Sequence, residues 1–252
     1  MLLLFDVGNT HTHVGLAKGR RILRSVDLKT SGWRSGEAGA GLAEFLGESV
    51  VAAAAIASVV PKATPFIRRW LRAQRLPPAY ELNAETVAGV GIDYPHPSGI
   101  GADRLANAVA VRHRFGAPAV VVAFGTAVAF DVVDANGNYV GGVIAPGLAA
   151  MTDYLHEKTA LLPRIEIREP RGVIGKSTEH AMLVGAVHGY RGLIRELIVR
   201  LKEELGVKKL PVVATGGYAR LIAARLPEIS AVVPNLTLEG LRLSFELSRR
   251  TP

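Results

Sequence analysis

Three short stretches of this 252-residue chain combine residue types suited to phosphate chemistry. The first is "DVGNTHTH", Asp6 to His13. A Gly-Asn-Thr turn between two strands presents backbone N–H groups and a hydroxyl as a small nest for phosphate oxygens, and an aspartate just before it can hold Mg²⁺ through water. On its own the stretch reads first as a plain hairpin turn. Its echo, Gly125-Thr126 within "VVAFGTAVAFDVV", shifts the reading toward phosphate, because two such loops can clamp one triphosphate. The third stretch, "DYPHPSGIGADR", puts Asp103 at the expected start of a helix with Arg104 beside it. A carboxylate there can accept the proton of a substrate hydroxyl, while helix amides and Arg104 attract an anionic group. The bland alternative is an N-cap aspartate followed by a surface arginine.

Other patterns carry less. "GVIGKST" looks like the tail of a P-loop, but that motif needs a glycine where Pro170 stands, and Gly172 is too close. His11 and His13 share one face of a strand without a third ligand, so they read as strand residues near a nucleotide rather than a metal pair. "NLT" at Asn235 is a glycosylation sequon with no secretory route expected for it.

The elements that must position these residues repeat. Leu2 to Asp6 reads as a strand, "HTHVGLAKG" and "RILRSVDLK" as two more with Gly19 at the bend, and "SGEAGAGLAEFLG" as a helix. Val50 to Val60 reads as a strand, and "PFIRRWLRAQRL" as a helix with Phe66, Ile67, Trp70 and Leu71 on one face. Another helix is expected from about Ala102 to Phe115. The plan then restarts with strands at Ala119 to Phe124, "AVAFDVV" and "YVGGVIA", the last two joined by a "DANGN" turn. Helices follow over "GLAAMTDYLHEKTALL" and about Ser177 to Leu205, then a strand "LPVVATGG" and a final helix near Leu238 to Arg249. The expected class is therefore α/β, built of duplicated lobes over residues 1–115 and 116–252, each a mixed sheet with flanking helices. The repeated hairpin argues against an ordinary doubly wound parallel sheet.

Composition sets the remaining bounds. Hydrophobic residues make up 49% and charged residues 21%, ordinary for a globular chain. Without cysteine there is no disulfide, thiol nucleophile or cysteine-ligated metal, which fits a cytoplasmic protein. The apolar N-terminus lacks a basic leader, and "VVAAAAIASVV" is too short to span a bilayer, so no membrane partner is expected. The net charge of +8 comes from dispersed basic residues, Arg68, Arg69, Arg72, Arg191, Arg195 and Arg200 among them, which read as solvated helix faces. No aromatic-interleaved basic patch points to nucleic acid.

The paired turns resemble the phosphate 1 and phosphate 2 loops of the acetate and sugar kinase, Hsp70 and actin superfamily, whose lobes are ribonuclease H-like. Together with "SVVP", "YPHPSGIGADRLANAVA", "GGVIAPGLAAMTDYLHEKTALLP", "IGKSTEHAMLVGAVHGY" and "ATGGYA", they resemble the type III pantothenate kinases along nearly the whole chain. The resemblance implies phosphorylation of pantothenate to 4'-phosphopantothenate by ATP, the first step of coenzyme A synthesis. It implies that Asp6, Val7, Gly8, Asn9, Thr10, His11, Thr12 and His13 line the ATP phosphates, with Asp6 on Mg²⁺ through water, and that Thr126 belongs to the second loop. It further implies that Tyr94, Gly101, Ala102, Asp103, Arg104 and Thr178 bind pantothenate, with Asp103 as the base. A homodimer and a monovalent cation, K⁺ or NH₄⁺, complete the expectation.

One position departs from that pattern. The family's second loop reads Asp-x-Gly-Thr, its aspartate a ligand of the monovalent cation, with a further threonine three residues beyond. Those places hold Ala123 and Ala129 here, and a methyl group cannot ligate a cation. The cation site is expected to be lost or altered, with Asp131 or a backbone carbonyl as other oxygen sources. A non-catalytic ligand-binding or regulatory paralogue on the same scaffold is the alternative.

Overall fold

The computed structural model describes residues 1–250, which fall into two compact units. One comprises Met1–Ala117, Asn136–Val140 and the described residues from Asn235 on; the other comprises Pro118–Ala135 and Gly141–Pro234. The units are thus not the contiguous halves drawn from the sequence, because a short central stretch and the C-terminal helix pack with the first.

The first unit opens with β1 (Leu2–Val7), β2 (His11–Lys18) and β3 (Arg21–Lys29). They are followed by α1 (Gly32–Ser35), α2 (Glu37–Leu46), β4 (Ala53–Ser58) and α3 (Thr64–Ala73). β5 (Tyr80–Glu81), β6 (Gly91–Ile92) and α4 (Ala102–Phe115) complete this run. Its sheet has the order β3-β2-β1-β4-β5, with β1 antiparallel to β2 and parallel to β4. β1 can be central because Leu3, Leu4, Phe5 and Val7 are all fully buried, so both of its faces are covered. Leu3, Phe5 and Val7 meet Leu42, Ile56, Ile67 and Leu71 in one core. On α3, Ile67 and Leu71 point inward at helical spacing, whereas Phe66 remains 36% exposed, which narrows the apolar face expected from the sequence. The C-terminal helix, Leu236–Ser248, lies on α4; at Gly240 a side chain would collide with the Ala106 carbonyl.

In the second unit β7 (Ala119–Phe124) and β8 (Ala127–Val133) form the second hairpin, followed by β9 (Asn138–Pro146). Then come α5 (Leu148–Lys158), α6 (Thr178–Val184), α7 (Tyr190–Glu204), β10 (Val212–Gly216), α8 (Ala219–Ala223) and β11 (Ala231–Val232). The strands run β11-β10-β7-β8-β9, with β10 parallel to β7 and to β11. The first residues of β9, Asn138 and Tyr139, belong to the first unit and pair there with β6.

Both sheets are mixed and each is entered through a tight antiparallel hairpin, so the fold is α/β with duplicated lobes. The single long helix expected after Ser177 is instead α6 and α7 joined by a π-helical turn at Gly185–Gly189. Arg191, expected on a solvated face, is buried: its guanidinium donates to both Glu169 oxygens at 3.0 and 2.6 Å and to the Leu221 carbonyl at 2.6 Å. No helix among the described residues is long and apolar enough to cross a membrane.

Candidate active site

The first turn is built by backbone bonds and strapped from behind. Gly8 N–H donates to the His11 carbonyl at 3.0 Å, closing the reversal between β1 and β2. Thr30, just past β3, donates its N–H to the Thr10 carbonyl at 3.1 Å and its hydroxyl to the Gly8 carbonyl at 2.7 Å. Trp33 Nε1 donates to the Thr12 hydroxyl at 2.9 Å, and that hydroxyl lies 3.1 Å from Thr30 Oγ1. Asn9, Thr10 and His11 are left exposed at the tip. Val7 and Thr12 are fully buried, so Thr12 braces the turn from inside and Val7 offers a ligand only its backbone. The strap formed by Thr30 and Trp33 was not legible in the sequence, because only the β2–β3 register brings those residues under the turn.

Asp6 sits at the end of β1, directly across from His13 on β2. His13 is engaged through both ring nitrogens, with Nδ1 2.6 Å from Asp27 Oδ1 and Nε2 3.1 Å from Asn235 Oδ1. It is therefore a link between β2, β3 and the start of the C-terminal helix. Burial pushes the Asp6 carboxyl up to about 7; the negative charge of Asp103 adds to this, His13 opposes it and Asp27 adds to it again.

Asp103 lies in the first turn of α4 and its Oδ1 accepts the Arg104 N–H at 2.8 Å. Burial raises its pKa, partly offset by that hydrogen bond and by the Arg104 charge. Gly101 makes this conformation possible: a Cβ there would stand 2.5 Å from Asp103 Oδ1 and 3.2 Å from Val59 Cγ1. Ala102 is buried behind it. Arg104 lies over the Tyr139 ring at 5.6 Å, and Tyr94 meets the same ring edge-on at 6.0 Å. The first unit therefore gathers Asp6, its turn, Tyr94 and the Gly101–Arg104 segment. Tyr139 joins them although its sequence context, a strand after a hairpin turn, gave no signal.

The second turn, in the other unit, is also closed by a glycine N–H but is one residue shorter. Gly125 N–H donates to the Ala127 carbonyl at 3.0 Å, and Gly147 N–H, at the start of α5, donates to the Thr126 carbonyl at 3.1 Å. Gly125 and Thr126 are exposed. Ala123 and Ala129 are direct cross-strand partners on β7 and β8, the places that Asp6 and His13 take on β1 and β2. Thr178 is exposed at the start of α6, next to Ser177, whose hydroxyl accepts the His180 N–H at 3.2 Å.

Both carboxyls are raised by burial, and the Asp6 carboxyl is raised further by the charge of Asp103. Among the described residues no group of three or more His, Asp or Glu side chains could hold a metal alone. That donor set suits Mg²⁺, which keeps several waters and is usually completed by substrate phosphates.

A family model described as type III pantothenate kinase matches residues 2–200. A type III pantothenate kinase of Akkermansia muciniphila is 48% identical, the match covering 98% of each chain. The chain belongs to the type III pantothenate kinase family. Its similarity to the Methylacidiphilum infernorum member is 44% identity over 98% of this chain and 88% of that one. The crystal structure of an inorganic polyphosphate/ATP-glucomannokinase from Arthrobacter has a TM-score of 0.51 at 15% identity, covering 99% of this chain and 98% of that one. At that identity the likeness speaks for the fold, which in this type III family member is that of the actin-like kinases.

Proposed function

We propose that this family member transfers the γ-phosphoryl group of ATP to the primary hydroxyl of pantothenate, giving 4'-phosphopantothenate for coenzyme A synthesis. The observation that carries the reading is the convergence of Asp6, its phosphate-type turn and the Gly101–Arg104 segment in one unit. The amides and hydroxyls of Gly8 to Thr10 take phosphate oxygens, and the exposed Gly125-Thr126 turn is read as a phosphate loop as well. Asp6 would hold Mg²⁺, which would neutralise charge on the phosphates. Asp103 accepts the hydroxyl proton, a role its raised pKa suits. Arg104, Tyr94 and Thr178 hold the pantothenate carboxylate and its polar stem.

Ala123 offers only a methyl group where the resemblance implies the cation-ligating aspartate, and Ala129 another where it implies a threonine, so we assign turnover without K⁺ or NH₄⁺. The enzyme works as a cytoplasmic homodimer in this reading. Support for the dimer is the exposed apolar face of α5, with Met151, Tyr154 and Leu155 at helical spacing. Formation of phosphopantothenate from ATP and Mg²⁺ tests the whole proposal, and Asp103→Asn tests the base. If pantothenate binds but no product forms, the chain is a binder and the kinase reading falls. Near-full activity in Asp103→Asn would remove the base assignment alone.

A further inference from the structure

Residues Asn136–Val140 cluster with the first unit although the chain on both sides belongs to the second. They are sewn in by backbone bonds: Gly91 N–H donates to the Gly137 carbonyl at 3.3 Å, and Asp93 N–H donates to the Tyr139 carbonyl at 3.0 Å. The register pairs Gly91 with Asn138 and Ile92 with Tyr139. Gly137, at φ 81°, leaves no room for a side chain against the Arg112 guanidinium, and Arg112 itself donates to the Gly89 carbonyl at 2.7 Å. The outcome of this stitching is one fully buried aromatic ring, Tyr139, inserted between two residues of the acceptor segment.

We propose that Tyr139 is a positioning residue for the acceptor substrate, its ring the platform that aims Arg104 and Tyr94. The inference rests on the reading of those two residues as pantothenate ligands. Arg104 Cζ lies 5.6 Å from the ring centroid, within cation–π range. A guanidinium held near a ring by this attraction is ordered, and its planar fork of N–H donors is the geometry that meets a carboxylate with two bonds. Tyr94 meets the same ring at 6.0 Å with an interplanar angle of 60°, an edge-to-face contact that sets where its own ring stands. The Asp93 bond to the Tyr139 carbonyl ties the loop that carries Tyr94 to the same residue. One side chain thus fixes two arms, from the Tyr94 loop and from α4, in a single orientation. Neither contact uses the tyrosine hydroxyl, so phenylalanine should serve as well.

The test compares wild type, Tyr139→Phe and Tyr139→Met by steady-state kinetics, by pantothenate calorimetry and by thermal melting. Methionine fills the space without a π face, and Tyr139→Leu replaces it if the methionine variant does not melt cooperatively. The expected result is a pantothenate KM and Kd raised about tenfold in Tyr139→Met, the scale of a desolvated cation–π contact. The KM for ATP stays unchanged, and Tyr139→Phe stays within about twofold of wild type. A pantothenate KM indifferent to methionine overturns the inference. So does an equal rise in both KM values, which marks a merely structural role, or a phenylalanine variant as impaired as methionine. Wild type that fails to bind pantothenate overturns the proposed function and this inference with it. Wild type that binds, with variants that do not differ, removes this inference alone.

Discussion

The charge of Asp103, in the first turn of α4, adds to burial in raising the pKa of Asp6 at the end of β1, so Asp6 is harder to ionise beside it. Asp6 is pushed up to about 7, against an ordinary value of 3.8. Between those two pH values the folded state binds more protons than the unfolded one, so stability falls as pH rises through that window and does not recover above it. Replacing Asp6 by asparagine removes the penalty. The melting temperature of ligand-free Asp6→Asn should exceed that of wild type by several degrees at pH 8. The gap should shrink toward zero near pH 4, and the variant should be unable to use Mg·ATP. A constant gap across pH would show that the substitution acts through packing instead.

In the proposed reading it is the ionised form of Asp6 that would hold Mg²⁺, so proton and metal would compete. Apparent Mg²⁺ affinity should weaken as pH falls below about 7. Titrating activity with Mg²⁺ at pH 6 and pH 8 measures this. Equal half-saturation at both would mean that the cation does not depend on this carboxylate.

Gly101 is an ordinary position by backbone angle, φ −59° and ψ 138°, so alanine there carries no conformational penalty. Its methyl would nevertheless stand 2.5 Å from Asp103 Oδ1 and move the carboxylate. Gly101→Ala should keep its fold and lose about 10²-fold in kcat/KM, the scale of a misplacement near 1 Å. Circular dichroism together with the kinetics separates these effects. A fully active variant would show that Asp103 has room to spare.

At Gly147 the added carbon meets backbone, not a side chain. It would stand 2.5 Å from the Gly125 carbonyl oxygen and closer still to that of Thr126. Gly147→Ala should therefore raise the KM for ATP while the pantothenate Kd stays unchanged, at a stability cost of about 1–3 kcal/mol. An unchanged ATP KM would separate Thr126 from nucleotide binding.

Legibility in the sequence followed the range of the forces involved. α4 and the strands β7 and β8 were readable to the residue, because alternation, apolar runs and the Gly-Thr turn are local signals. The two-residue strands β5 and β6 exist only through their neighbours, Ala55 and Ile56 for one and Asn138 and Tyr139 for the other, and left no local trace. The π turn before α7 kept a helical pattern of apolar residues and so was invisible. Asp6 and Asp103 could be named from residue type and order, but not that the charge of Asp103 bears on Asp6. Thr12 could be named too, but its burial under Trp33 could not be foreseen, because that depends on how β3 returns along β2.

The alanine pair gives the sharpest test of how far this chain departs from its family's pattern. Ala123 and Ala129 face one another across β7 and β8, so the two places where the resemblance implies oxygen-bearing side chains are direct neighbours. Neither place is sealed in the core, since both are partly exposed, and an aspartate at 123 with a threonine at 129 would have access to solvent and ions. Wild type should turn over pantothenate at the same rate in sodium and in potassium buffers. The double variant Ala123→Asp/Ala129→Thr should gain a response to K⁺ of up to about 10²-fold, by the scale of a restored electrostatic element. Initial rates in the two buffers measure both. A wild-type rate that rises with K⁺ would place the cation on other oxygens, such as Asp131 or a backbone carbonyl. Activity confined to the double variant would make the alanine pair the lesion of a chain that binds its ligands without turning them over.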